Sequence, residues 1–153
     1  MTSSKSSFSP RRSARLAAVQ ALYQLDQSQD QLNKIVAEFI TYRFPNKREG
    51  DFHYFKPDVE LFKSLTNGVT GNLKEIDELI ESNLMQNWRL ERLPNVMLNL
   101  LRAACFELKY ESLVPTPVII NEYIEITKDF FPDTESSFVN GILDVISKKV
   151  REI

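Results

Sequence analysis

Apolar positions recur every three or four residues along most of the chain, the spacing of helices rather than the alternation of strands. Ser9-Pro10 reads as a helix start: the serine hydroxyl can accept from an early amide, and proline at the first helical position forfeits nothing. From there to about Gln27, Ala14, Ala18, Ala21 and Leu25 form one apolar stripe, and Leu16, Val19 and Tyr23 form a second. Stripes covering more than half the circumference predict a central helix whose arginine-bearing start projects. A second helix is predicted over 31–43, with Ile35, Val36, Phe39 and Ile40 inward. A third begins near Pro57-Asp58 and runs through Leu61, Phe62, Leu65 and Val69. Between them, 45–57 reads as a long connection carrying Phe52, Tyr54 and Phe55. Gly68 and Gly71 mark either tight packing or a bend.

Helical spacing resumes with Ile76, Leu79, Ile80 and Leu84. The C-terminal third is patterned most strongly. Over 95–110, Leu98, Leu101, Cys105 and Leu108 share a face, and an apolar first turn predicts a buried helix. Thr116-Pro117 opens another helix through about Phe130, with Ile120, Tyr123, Ile124 and Thr127 in register. Asp133 or Thr134 is expected to cap a last helix bearing Phe138, Ile142, Val145 and Ile146. Gly141 inside it costs about 1 kcal/mol relative to alanine, which close helix packing would offset. The reading is an all-α fold of six to seven helices in two small packed subdomains, about 9–86 and 92–153, behind a flexible arm at 1–8.

Composition narrows the chemistry. A chain of 153 residues, 42% hydrophobic and 26% charged, fits one soluble globular domain. The lone cysteine, Cys105, excludes an intrachain disulfide. With His53 as the lone histidine, a structural zinc site and a Cys-His catalytic pair both lack members. Cys105 is read as a small core residue. Only four glycines are present, and neither GxGxxG nor GxxxxGK[ST] occurs, so phosphate cradles lack their backbone. No cofactor and no metal are expected. No apolar run approaches the roughly 20 residues of a membrane span, and the start lacks a signal peptide's apolar core. The expected compartment is the cytoplasm. Carboxylates at helical spacing, such as Asp26 with Asp30 and Glu107 with Glu111, read as solvated surface rather than an acid–base pair. The class is a binding protein, not an enzyme.

Charge adds a location. Met1 through Leu25 holds Lys5, Arg11, Arg12 and Arg15 and no carboxylate, a local charge of +4. Against a net charge of -2, that leaves -6 on the rest of the chain. A basic segment on an acidic body points to a localised anion-binding patch, with a solvated tail as the bland alternative. Guanidiniums at helical spacing can grip a bent phosphate backbone, and a single strand also needs surfaces on which bases rest. Tyr23 and Phe8 are the aromatic candidates, with partial burial the competing reading for Tyr23.

Four blocks then converge. Arg11-Arg12-Ser13-Ala14-Arg15 followed by Ala18-Val19-Gln20-Ala21-Leu22-Tyr23, the helix Leu101-Arg102-Ala103-Ala104-Cys105-Phe106-Glu107-Leu108, the segment Pro117-Val118-Ile119-Ile120-Asn121-Glu122, and Phe138-Val139-Asn140-Gly141-Ile142-Leu143-Asp144 resemble, in order and separation, the NusB family of transcription antitermination proteins. The resemblance implies binding to the boxA element of nascent RNA together with ribosomal protein S10 (NusE). That complex joins antitermination machinery with RNA polymerase on ribosomal RNA operons. It implies phosphate contacts at Arg11, Arg12 and Arg15, RNA-face roles for Gln20 and Tyr23, and a protein-partner side at Glu107 and Phe138. Asn121, Glu122, Asn140 and Gly141 are read as packing residues of the C-terminal helices.

The chain departs from the family pattern in four places. Ser13 stands where another arginine is common, which removes a charge. Met97-Leu98-Asn99 replaces a polar stretch, implying a greasier surface or a self-association face. Phe130-Phe131-Pro132 replaces a Phe-Gly ending, and the connection between Tyr42 and Asp58 is longer. The alternative function is a helical protein-interaction or homodimerisation module without RNA binding. An RNA methyltransferase carrying such a domain is a further alternative, for which this sequence offers no glycine-rich cofactor segment.

Overall fold

Ser9 and Asp58 set where two helices begin. Ser9 Oγ accepts the Arg12 amide at 3.1 Å and Pro10 follows it, so α1 spans Pro10–Gln27. Asp58 Oδ1 accepts the Leu61 amide at 3.0 Å, capping α3 (Val59–Gly71). Between them lies α2 (Leu32–Glu38), continued by a π-helical turn at Phe39–Arg43. Then come α4 (Leu73–Glu81), a 3-10 turn at Leu90–Arg92, α5 (Asn95–Tyr110), α6 (Thr116–Phe130) and α7 (Asp133–Val150). This computed structural model describes residues 9–45, 56–85 and 88–151. Among them are seven α-helices and no strand, the all-α architecture that the spacing predicts. The expected arm at 1–8 and most of the 45–57 connection, with Phe52, His53, Tyr54 and Phe55, lie outside the described residues. No described helix is long and apolar enough to cross a membrane.

The chain divides into two compact units, Met1–Gly68 and Val69–Ile153. In the first, α1 packs on α2, burying Ala14, Ala18, Ala21 and Ile35. An aromatic cluster closes it. Phe39 stacks on Phe62 with ring centroids 5.6 Å apart, and Phe44 meets the same ring edge-on at 5.1 Å. The regular α spacing expected to continue to residue 43 cannot bring both there. Closing i→i+5, with the Phe44 amide donating to the Phe39 carbonyl at 2.9 Å, sets residues five apart one above the other.

In the second unit, α5, α6 and α7 pack pairwise and α4 lies against α5. Every residue of α5 from Met97 to Leu108 is buried, so it is the core helix. Met97, Leu98 and Asn99 are therefore interior and offer no greasy self-association face. Gly141 is exposed, and a methyl group added there would meet nothing within 4 Å. Its expected close packing is absent; Val139, Ile142, Leu143 and Ile146 hold α7 instead. Asn121 and Asn140 are likewise exposed. Pro132 replaces glycine as the terminator of α6: Phe131 becomes extended, and its amide still donates to the Thr127 carbonyl at 3.0 Å.

Arg102, a charged residue of α5, is paired inside this unit. Arg102 Nε and Nη2 donate to both carboxylate oxygens of Asp77 on α4, at 2.8 and 2.9 Å, a planar bidentate match. Thr116 does not cap α6, and neither Asp133 nor Thr134 caps α7: Thr116 and Asp133 are the first helical residues and Thr134 follows inside the helix. Thr116 Oγ1 accepts from Arg151 Nη1 at 3.2 Å instead.

Candidate nucleic-acid interface

Helix α1 carries all five residues expected to face RNA, and the structure separates them. Arg12 and Arg15 are buried, with 4% and 2% of their surface exposed, and neither is without a partner. Their spacing to Val19 and Leu22 gives the reason. Residues 12, 15, 19 and 22 form one i, i+3, i+7, i+10 stripe, and all four are buried. The second apolar stripe therefore runs one position away from the expected Leu16–Val19–Tyr23 line. Leu16 lies at its edge and Tyr23 outside it. A buried guanidinium stays where its partners compensate its lost hydration. Three arginines do not form one open basic face here.

Arg11 remains exposed at the helix tip, with Nη1 3.7 Å from Asp58 Oδ2. The Asp58 amide also donates to the Pro10 carbonyl at 3.0 Å, so the starts of α1 and α3 are tied together. This pair is open to solvent and screened, so an incoming phosphate can compete for the guanidinium. Gln20 is exposed, and Tyr23, three residues on, is 39% exposed. At about 100° per residue, Arg11 and Gln20 lie about 180° apart around the axis, with the Tyr23 side nearer Gln20. The site is thus a cationic tip and a polar-aromatic strip on different sides of one helix.

The residues expected on the protein-partner side also part company. Glu107 is fully buried and accepts a hydrogen bond from Tyr123 Oη at 2.5 Å. It joins α5 to α6 and is neither solvated surface nor available for direct contact. Phe138 is half-buried on α7, its ring stacked on Trp88 with centroids 6.4 Å apart. Trp88 is 47% exposed. Sequence reasoning missed this ring because it falls in a loop with no helical register. Cys105 is buried as expected of a core residue, and burial, with a smaller effect of the Asp77 charge, pushes its thiol up to about 12.

The chain is similar to known proteins over nearly its whole length. The NusB family matches residues 12–148. The chain is 46% identical over 143 residues to the transcription antitermination protein NusB of Caulobacter vibrioides, covering 94% of this chain and 95% of that one. It is 44% identical over 141 residues to the same protein of Sinorhizobium medicae, covering 92% and 88%. Among solved structures, NusB of T. maritima superposes with a TM-score of 0.75 at 37% identity, covering 92% of each chain. A chain in the structure of antitermination factors NusB and NusE in complex with dsRNA superposes with a TM-score of 0.73 at 25% identity, covering 90% of this chain and 96% of that one. These relatives are antitermination proteins, not enzymes, and the chain belongs to the NusB family.

Proposed function

We propose that this chain binds boxA-type nascent RNA together with ribosomal protein S10 (NusE), in an antitermination complex that supports transcription of ribosomal RNA operons. The observation that carries the reading is the solvent-facing strip of α1, where exposed Tyr23 stands one turn from exposed Gln20. Tyr23 offers a ring face to an unstacked base, Gln20 an amide that can donate and accept, and Arg11 a guanidinium for phosphate. The similarity to a NusB chain solved with NusE and RNA supports the same ligand classes here. Arg12 and Arg15 support α1 from its buried side and are not the primary phosphate contacts.

For the protein partner, Phe138 and its neighbour Trp88 offer an aromatic surface of the kind that anchors interfaces. A basic S10 would be drawn by the acidic balance outside the first 25 residues. Trp88 is the lone tryptophan, so its emission reports on this surface directly. The test is a titration with boxA RNA, mutated boxA RNA and S10, separately and together. The reading expects boxA-dependent binding that S10 tightens, with a change in Trp88 emission on S10 addition. Binding of S10, or self-association, with no dependence on RNA would favour the protein-interaction module instead.

A further inference from the structure

The π-helical turn at Phe39–Arg43 has a consequence for the surface beside α1. Its register points Phe39 and Phe44 inward onto Phe62, and leaves Tyr42 and Arg43 outward. Tyr42 is 63% exposed, far more than a ring serving only the fold requires. The Arg43 guanidinium lies over the Phe39 ring, 4.2 Å from its centroid, and Nη2 donates to Gln24 Oε1 at 3.5 Å. The ring contact and the Gln24 hydrogen bond together hold the guanidinium against α1. Gln24 follows Tyr23 in the chain and sits one turn beyond Gln20. Among the described residues, no carboxylate lies within ion-pairing distance of Arg43, in contrast to Arg11.

We propose that Tyr42 and Arg43 extend the α1 strip into a second single-stranded RNA contact, in which Arg43 takes a phosphate and Tyr42 stacks on a base. The inference rests on the RNA-binding reading above. Charge complementarity selects the ligand: an exposed guanidinium with no carboxylate in reach among the described residues suits a phosphate, and flanking tyrosines suit unstacked bases. A duplex would hide its bases from both rings, so the site favours a single strand.

The test uses the full chain and a labelled single-stranded boxA RNA, titrated at several salt concentrations with and without S10. Tyr42→Ala is expected to weaken binding by about fivefold or more, the loss of one stacked base, while Tyr42→Phe retains wild-type affinity. Arg43→Gln is expected to reduce the slope of log affinity against log salt by about 0.7, and Arg43→Lys to preserve it. Thermal unfolding of the Tyr42 variants should match wild type because Tyr42 is exposed, while Arg43→Gln should lose only the modest contribution of its Phe39 contact, leaving all four variants folded at the titration temperature. Wild-type affinity and salt slope in Tyr42→Ala and Arg43→Gln would overturn this contact while leaving RNA binding by α1 standing. Absence of RNA binding by the wild-type chain, with and without S10, would overturn both.

Discussion

Arg11 Nη1 stands 3.7 Å from Oδ2 of Asp58, whose other carboxylate oxygen accepts the Leu61 amide at 3.0 Å. One carboxylate therefore serves an exposed ion pair and a helix cap, and the two are worth different amounts. Losing the cap in Asp58→Ala should cost about 1 kcal/mol of stability. Losing the screened ion pair in Arg11→Ala should cost less than about 0.5 kcal/mol. Urea unfolding of both variants checks the order. In RNA titrations the order reverses, with Arg11→Ala lowering the salt slope by about 0.7.

The buried arginines predict the opposite balance. Arg12→Ala and Arg15→Ala each remove a buried guanidinium and leave the groups it contacts one partner short, a loss of about 1–3 kcal/mol. Denaturant midpoints should fall well below that of Arg11→Ala. Wild-type stability in either variant would return that arginine to the candidate phosphate contacts.

The Tyr123 hydroxyl donates to Glu107 inside the second unit. Tyr123→Phe leaves the buried carboxylate one donor short and should destabilise by about 1–3 kcal/mol. Because Glu107 is buried, S10 affinity per folded molecule should stay at the wild-type value. Calorimetric titration of the folded Tyr123→Phe variant measures it.

Arg151 closes the end of the second unit. Its guanidinium donates to the carbonyls of Leu108 at 2.7 Å, Val114 at 2.6 Å and Glu111 at 2.6 Å. It thus caps the C-terminal turn of α5 and holds the loop that follows. Arg151→Ala should cost about 2–3 kcal/mol, judged by thermal unfolding, and Arg151→Lys should recover little, since an ammonium cannot span this fork.

Cys105 makes stability depend on alkaline pH. Burial chiefly, with the Asp77 charge, raises its thiol from 9.0 to about 12. A raised folded value means the native state holds the proton more tightly than the unfolded chain. Its contribution is therefore complete below about pH 9 and is lost as pH rises toward about 12. Stability measured across that window should fall more steeply for wild type than for Cys105→Ala, by up to about 1.4 kcal/mol per pH unit.

Helix positions were legible because their signals are local. Ser9-Pro10 and Asp58 act on amides three residues away, and the α5 run is apolar nearly all round. The candidate site was less legible because its outcome is tertiary. Arginines read as solvent-facing, yet the spacing of Arg12 and Arg15 to Val19 and Leu22 carried the contrary signal of a shared buried stripe. Glu107 sits inside a continuous buried run, which was the cue that it needed an internal donor such as Tyr123. Nothing local announces the π turn, since Ile35, Val36, Phe39 and Ile40 satisfy an α pattern equally well. Only the packing of Phe39 and Phe44 on Phe62 selects it.

Backbone amide chemical-shift mapping of the 17.7 kDa chain, as boxA RNA is added, locates the RNA face residue by residue. RNA lying along the exposed side of α1 should concentrate the shifts at Arg11, Gln20, Tyr23 and Gln24. Shifts absent from α1 and gathered within Val69–Ile153 would contradict this placement.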